Sequence, residues 1–125
     1  MVVGIGIDIV DVQEFRRRLS DELIAELFLP AEIDYARTQV RAWENFAARL
    51  AAKEAAFKAL DAGLAQGLRW HDVEVRREPD GPPVLALHGR ARTLADARDV
   101  VASHLSLSHS RESAIATVIL MGAAP

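Results

Sequence analysis

The chain has 125 residues, 50% of them hydrophobic and 26% charged, with a net charge of −3 and no cysteine. That length predicts one domain, residues 1–125, with a sizeable core. The acidic balance argues against general nucleic-acid binding, and the missing cysteines exclude a disulfide framework and cysteine-ligated zinc while suiting a reducing compartment. The apolar start, residues 1–10, has no basic leader and contains Asp8, which makes it a poor signal peptide. The late apolar run 114–124 is too short and interrupted to span a bilayer. A cytoplasmic location is therefore expected, with no membrane and no nucleic-acid partner.

Residues 2–10 read as a strand with Val3, Ile5, Ile7 and Ile9 on one side and Gly4, Gly6 and Asp8 on the other. Two readings of the glycines stand side by side. They leave room for a ligand to approach the Asp8 carboxylate, or they mark a bulge or tight packing. Asp11 with Glu14 resembles a capping box, so a helix is predicted there. Its Arg16, Arg17 and Arg18 cannot all face one way. They form either a solvated face or a docking surface for an acidic partner. Ser20-Asp21-Glu22 predicts the next helix start, and Pro30 opens a short helix carrying Glu32, Asp34 and Tyr35.

The longest helical pattern runs from about residue 40 to 60, with Gly63 and Gly67 expected to end it. Phe46, Leu50, Phe57, Leu60 and Leu64 draw an apolar stripe, and the other faces are nearly all alanine, which predicts a central, closely packed helix. Lys53 interrupts the stripe. Glu54 and Lys58 lie on one shoulder and Arg49 on the other. Four charges on a central helix need partners, because an unpaired buried charge is very costly. Those partners are either protein groups or a metal ion and phosphates.

From Leu68 the period changes to two. Residues 70–77 and 84–88 predict a hairpin around the turn Pro79-Asp80-Gly81-Pro82-Pro83. A short helix over about 90–98 follows. A third strand of this region, 101–110, sets Leu105, Leu107 and His109 on one side and His104, Ser106 and Ser108 on the other. The last strand, 114–121, is apolar on both faces, which predicts a helix on one face or a neighbouring subunit. The fold class is α+β: a mainly antiparallel sheet packed on one long central helix.

No phosphate-loop, dinucleotide or zinc-protease motif is present, and there is no cysteine nucleophile. The candidates for chemistry are Asp8 and Glu54, the cations Arg49, Lys53 and Lys58, and His109 at a strand end. Two carboxylates completed by water and phosphate oxygens describe a Mg²⁺ site, and lysines beside it would neutralise phosphate charge. The plainer alternative is an ordinary Glu54–Lys58 helix pair worth a few tenths of a kcal/mol and a core histidine.

Three motifs resemble one family in order and spacing. These are Ile5-Gly-Ile-Asp8-Ile-Val10, Arg49-Leu-Ala-Ala-Lys53-Glu54-Ala-Ala-Phe-Lys58-Ala-Leu60, and Leu105-Ser-Leu-Ser-His109-Ser110. Together with Gly81-Pro-Pro83 they resemble the holo-acyl-carrier-protein synthases, small 4′-phosphopantetheinyl transferases, over nearly the whole chain. The resemblance implies the 4′-phosphopantetheinyl transferase fold, trimer-forming, with active sites between subunits. It implies transfer of phosphopantetheine from coenzyme A to a serine of apo acyl carrier protein, with release of adenosine 3′,5′-bisphosphate. Asp8 and Glu54 would ligate Mg²⁺, with Mn²⁺ as an alternative ion, and Glu54 and Lys58 would serve the chemistry. Arg49, Lys58 and His109 would hold coenzyme A phosphates, His109 near the 3′-phosphate. Arg16, Arg17 and Arg18 would meet the acidic carrier protein, and Asp34 is a candidate general base. Fatty-acid biosynthesis, within lipid metabolism, is the expected setting, with the carrier left open among fatty-acid, polyketide and peptide synthesis. The chain departs from the family at Leu50, usually aromatic, at Leu29-Pro30, where Thr is frequent, and at Asp61-Ala-Gly63, usually a Gly-Thr-Gly-like turn. The competing readings are a non-catalytic carrier-protein or coenzyme-A-binding module and a metal-dependent nuclease. The acidic charge counts against the nuclease.

Overall fold

A computed structural model describes residues 1–124. The elements are β1 (Val2–Asp11), α1 (Val12–Arg18), α2 (Asp21–Leu27), α3 (Pro30–Arg37), α4 (Ala42–Ala59), β2 (Val73–Arg76), β3 (Val84–Leu87), α5 (Gly89–Ala97), β4 (Val100–His109) and β5 (Ser113–Gly122). The α+β class expected from the sequence holds. A three-stranded antiparallel sheet of order β1-β5-β4 packs on α4, and β2 and β3 form a separate two-stranded sheet. The strand expected to belong with the hairpin is instead bonded to β5, with His109 opposite Ala114. On the other side of β5, Asp8 lies opposite Ala116.

The joint between α4 and β1 settles the two readings of the glycines. A Cβ on Gly6 would stand 1.9 Å from the Ala55 carbonyl oxygen, and one on Gly4 2.1 Å from that of Ala59. Both distances are impossible for real atoms, so the glycines exist for tight packing against α4. The helix meets the sheet through Ala51, Ala52, Ala55, Ala56 and Ala59, all buried, against Ala116, Val118 and Leu120. A β-bulge between Val2 and Gly4 shifts the alternation, so Val3 packs on this core and leaves the side shared by Ile5, Ile7 and Ile9. Those three isoleucines are each more than 60% exposed. They stand beside the outer face of β5, where Ile5 pairs with Ile119 and Ile9 with Ile115. The two-sided apolar character of β5 is thus half explained by a helix, and its other face lies open in the single chain.

Local chemistry sets the helix starts as expected. Asp11 Oδ1 accepts from the Glu14 amide at 2.9 Å and Ser20 Oγ from the Leu23 amide at 3.1 Å. Pro30 occupies the first turn of α3, and Glu32 Oε1 accepts from the Leu29 amide at 2.8 Å. Neither Gly63 nor Gly67 ends α4. Asp61 does, with φ 55°, and the Ala62 amide returns to the Phe57 carbonyl at 3.2 Å. Aspartate tolerates the left-handed region better than most side chains, so it takes the place glycine usually fills. The expected strand start at Trp70 is a 3₁₀ turn, Trp70–Asp72, because Asp72 Oδ2 accepts from the Arg69 amide at 2.9 Å and tightens the chain there.

Candidate active site

Asp8 projects from β1 two residues beyond Gly6, toward the face of α4 that carries Glu54 and Lys58. Lys58 Nζ donates to Asp8 Oδ1 at 2.9 Å and to the Ile7 carbonyl at 2.9 Å. The Asp8 side chain is only 11% exposed, whereas that of Lys58 is 58% exposed. Asp8 Oδ2 is buried without a hydrogen-bond partner. Glu54 is its neighbour, and its carboxyl is pushed up to about 8. Burial is the main cause, followed by the neighbouring Asp8 carboxylate, while Lys58 pulls the other way. A buried carboxylate oxygen without a donor, beside a second carboxyl forced to keep its proton, fits a hard divalent cation. Among the described residues no group of three or more His, Cys, Asp or Glu is placed to hold a metal ion. Asp8 and Glu54 would therefore be the protein's share of a Mg²⁺ shell completed by water and phosphate.

Lys53, the gap in the apolar stripe, has a protein partner. It is fully buried and pairs with Glu32 Oε1 at 2.9 Å, also donating to the Trp70 carbonyl at 3.1 Å. Glu32 Oε2 accepts from the Val75 amide at 2.9 Å. This pair ties α3, α4 and β2 together and takes no part in the carboxylate site. Arg49 is 3% exposed and has no ion pair among the described residues. Its Nη1 donates to Asn45 Oδ1, its guanidinium carbon stands 4.7 Å from the Tyr35 ring centre, and its Nε is buried without a partner. Burial lowers its pKa, with Glu32 opposing. It lines a cleft of about 490 Å³ with Tyr35, Arg76 and Arg77, and with Glu32, Glu74 and Glu78, so the cleft carries as many acids as arginines.

His109, at the end of β4, places Nδ1 3.0 Å from Glu44 Oε1. Arg16, Arg17 and Arg18 are all exposed on α1, and the Arg16 guanidinium stacks 3.7 Å above the Trp43 ring. Asp34 is exposed on α3 and makes no ion pair among the described residues. Asp8, Glu54 and Lys58 are thus brought together. Arg49 and His109 line two other clefts of the same chain.

The family model described as the 4′-phosphopantetheinyl transferase superfamily matches residues 4–118. The chain belongs to that superfamily. Transferases named holo-[acyl-carrier-protein] synthase from Koribacter versatilis and Desulforudis audaxviator are similar to it. The first is 45% identical, over 96% of this chain and 98% of its own, and the second 46%, over 98% and 95%. The crystal structure of a holo-(acyl-carrier-protein) synthase from Bacillus anthracis, in complex with CoA (3′,5′-ADP), superposes with a TM-score of 0.81. It is 34% identical and covers 98% of this chain and 99% of that one.

For this phosphopantetheinyl transferase family member, reading the sequence alone missed Glu44, Arg41 and the partner of Lys53. The Arg41–Glu44 pair was available as an i, i+3 spacing at the start of α4. The Glu32–Lys53 pair joins residues 21 apart across two helices, and no local periodicity signals that.

Proposed function

We propose that this chain transfers the 4′-phosphopantetheine group from coenzyme A to a serine of apo acyl carrier protein, releasing adenosine 3′,5′-bisphosphate. The observation that carries the reading is the Asp8–Glu54–Lys58 cluster, in which one buried carboxylate oxygen lacks a donor. Asp8 and Glu54 would hold Mg²⁺, which would supply positive charge against the pyrophosphate. Lys58, anchored on the Ile7 carbonyl and largely exposed, reaches the pyrophosphate and gives a proton to the leaving phosphate. Arg49 and His109 hold further phosphates of coenzyme A. A serine hydroxyl is a weak nucleophile and needs a base. Asp34, exposed and without an ion pair, takes that proton. Arg16, Arg17 and Arg18 present positive charge to an acidic carrier protein.

The open isoleucine face of β1 and β5 supports a homotrimer. With Arg49 and His109 lining clefts apart from the carboxylates, such an assembly supports active sites shared between subunits. No helix among the described residues is long and apolar enough to cross a membrane, and the cytoplasm is the proposed location. The test is the intact mass of an apo acyl carrier protein after incubation with this protein, coenzyme A and Mg²⁺. A gain of one phosphopantetheine that a chelator abolishes is the expected result. No gain across several carrier proteins would leave a non-catalytic binding module.

A further inference from the structure

Glu44 has no part in the chemistry described so far, yet it is one of five polar or charged residues buried among the described residues. It lies in the first turn of α4, where the helix dipole favours its negative charge. Its two oxygens are spent on two different basic side chains. Oε1 meets His109 Nδ1 at 3.0 Å, and Oε2 accepts from Arg41 Nε. The carboxylate is 6% exposed, whereas the side chains of His109 and Arg41 are 42% and 46% exposed. Burial alone would push the Glu44 carboxyl up, but the hydrogen bonds from His109 and Arg41 outweigh it and hold it below the usual range. A buried carboxylate anchor therefore holds two half-exposed basic heads, one from the end of β4 and one from the loop before α4. They open on a cleft of about 200 Å³ lined also by Gln39, Val40 and Asn45.

The geometry fixes more than proximity. A carboxylate only accepts, so Nδ1 of His109 must carry the hydrogen that meets Glu44. The ring is thereby oriented with Nε2 turned away from Glu44, where it donates to a phosphate oxygen only when the ring carries both hydrogens. Arg41 uses Nε on Glu44, which leaves its two terminal nitrogens to form a fork. One acceptor thus orders two donors that would otherwise sample several rotamers. The entropy of fixing them is lost on folding rather than on ligand binding.

We infer that Glu44 is a positioning residue, which locks His109 and Arg41 into a clamp for the 3′-phosphate of coenzyme A and so sets preference for coenzyme A over its 3′-dephospho form. This rests on the reading of His109 as a ligand of that phosphate. A residue that merely ties α4 to β4 would influence both nucleotides alike. The experiment measures KM and kcat with coenzyme A and with 3′-dephospho-coenzyme A for the wild type, Glu44→Ala, Glu44→Gln and His109→Ala, with Tm for each. Binding of adenosine 3′,5′-bisphosphate and of AMP is measured by calorimetry without turnover. The expected result is that Glu44→Ala raises KM for coenzyme A about tenfold and weakens the bisphosphate by a similar factor. Its KM for the dephospho form and its affinity for AMP stay within about twofold of wild type. Glu44→Gln, which keeps the shape and an acceptor, falls between. It carries the test if Glu44→Ala does not fold. Equal effects on both nucleotides, or none in a folded Glu44 variant while His109→Ala still discriminates, would overturn the inference alone. If His109→Ala leaves the two nucleotides undistinguished from wild type, the reading of His109 fails and the inference falls with it.

Discussion

At the proposed Mg²⁺ site, Glu54 would make metal binding a competition with a proton, and the sign follows from its environment. Its carboxyl is raised from the ordinary 4.5 to about 8, chiefly by burial and then by Asp8. In the metal-free folded protein it therefore keeps its proton over a range where the unfolded chain has lost it. Stability of the metal-free form declines as pH climbs from about 4.5 towards 8. A divalent cation needs the ionised form, so its affinity moves the opposite way and rises with pH. At pH 8 about half of Glu54 is ionised and at pH 6 about one part in a hundred, so the apparent Kd for Mg²⁺ weakens roughly fiftyfold between them. Calorimetric titration of Mg²⁺ in two buffers of different ionisation enthalpy measures both the affinity and the proton released. Near pH 7 the expected release approaches one proton per ion. In Glu54→Gln binding weakens and loses its pH dependence. A Kd that stays flat from pH 6 to 8 with no proton release would refute the reasoning.

Other perturbations test the frame and the surfaces. Gly6→Ala forces a methyl into the Ala55 carbonyl. Because backbone rather than a flexible side chain must yield, it costs about 3 kcal/mol or more, read as a lower urea midpoint, and an unchanged midpoint would contradict the contact. Lys53→Ala strands the buried Glu32 carboxylate and costs about 3–5 kcal/mol, while Glu32→Gln combined with Lys53→Met recovers part of the loss. Additive costs across Lys53→Met, Glu32→Gln and the double variant would mean the pair does not act as a unit. Reversing Arg17 and Arg18 to Glu raises the carrier-protein KM about tenfold at low salt with kcat held, because the charges steer encounter. Arg16 is left out because its stacking on Trp43 adds a structural cost. A fall in kcat at constant KM would remove α1 from the docking surface.

The helix α4 and the capped starts of α1 and α2 were legible in the sequence because each rests on short-range spacing. Asp8 could be matched with Glu54 only through motif order, since no local pattern brings residues 46 positions apart together. Pattern also left the glycines of β1 open. Their meaning lies in the Ala55 and Ala59 carbonyls, which belong to another element. The end of α4 was misread for a different reason. Glycine is the usual left-handed residue, and Asp61 takes that conformation with a side chain in place. Lys53 read as an anomaly until Glu32 supplied its charge from across the fold. Glu44 was invisible as a site residue because an acid in a first helical turn is ordinary, and only its burial and its two partners single it out.

The glycine–alanine seam between β1 and α4 also bears on how the site moves. Backbone meets backbone there, with no layer of side chains to compress or rotate between the strand bearing Asp8 and the helix bearing Glu54 and Lys58. The two carboxylates are mounted on what is mechanically one part, without a hinge. At the site proposed above, any adjustment to a polyanionic substrate would fall to the largely exposed arm of Lys58 rather than to the strand or the helix.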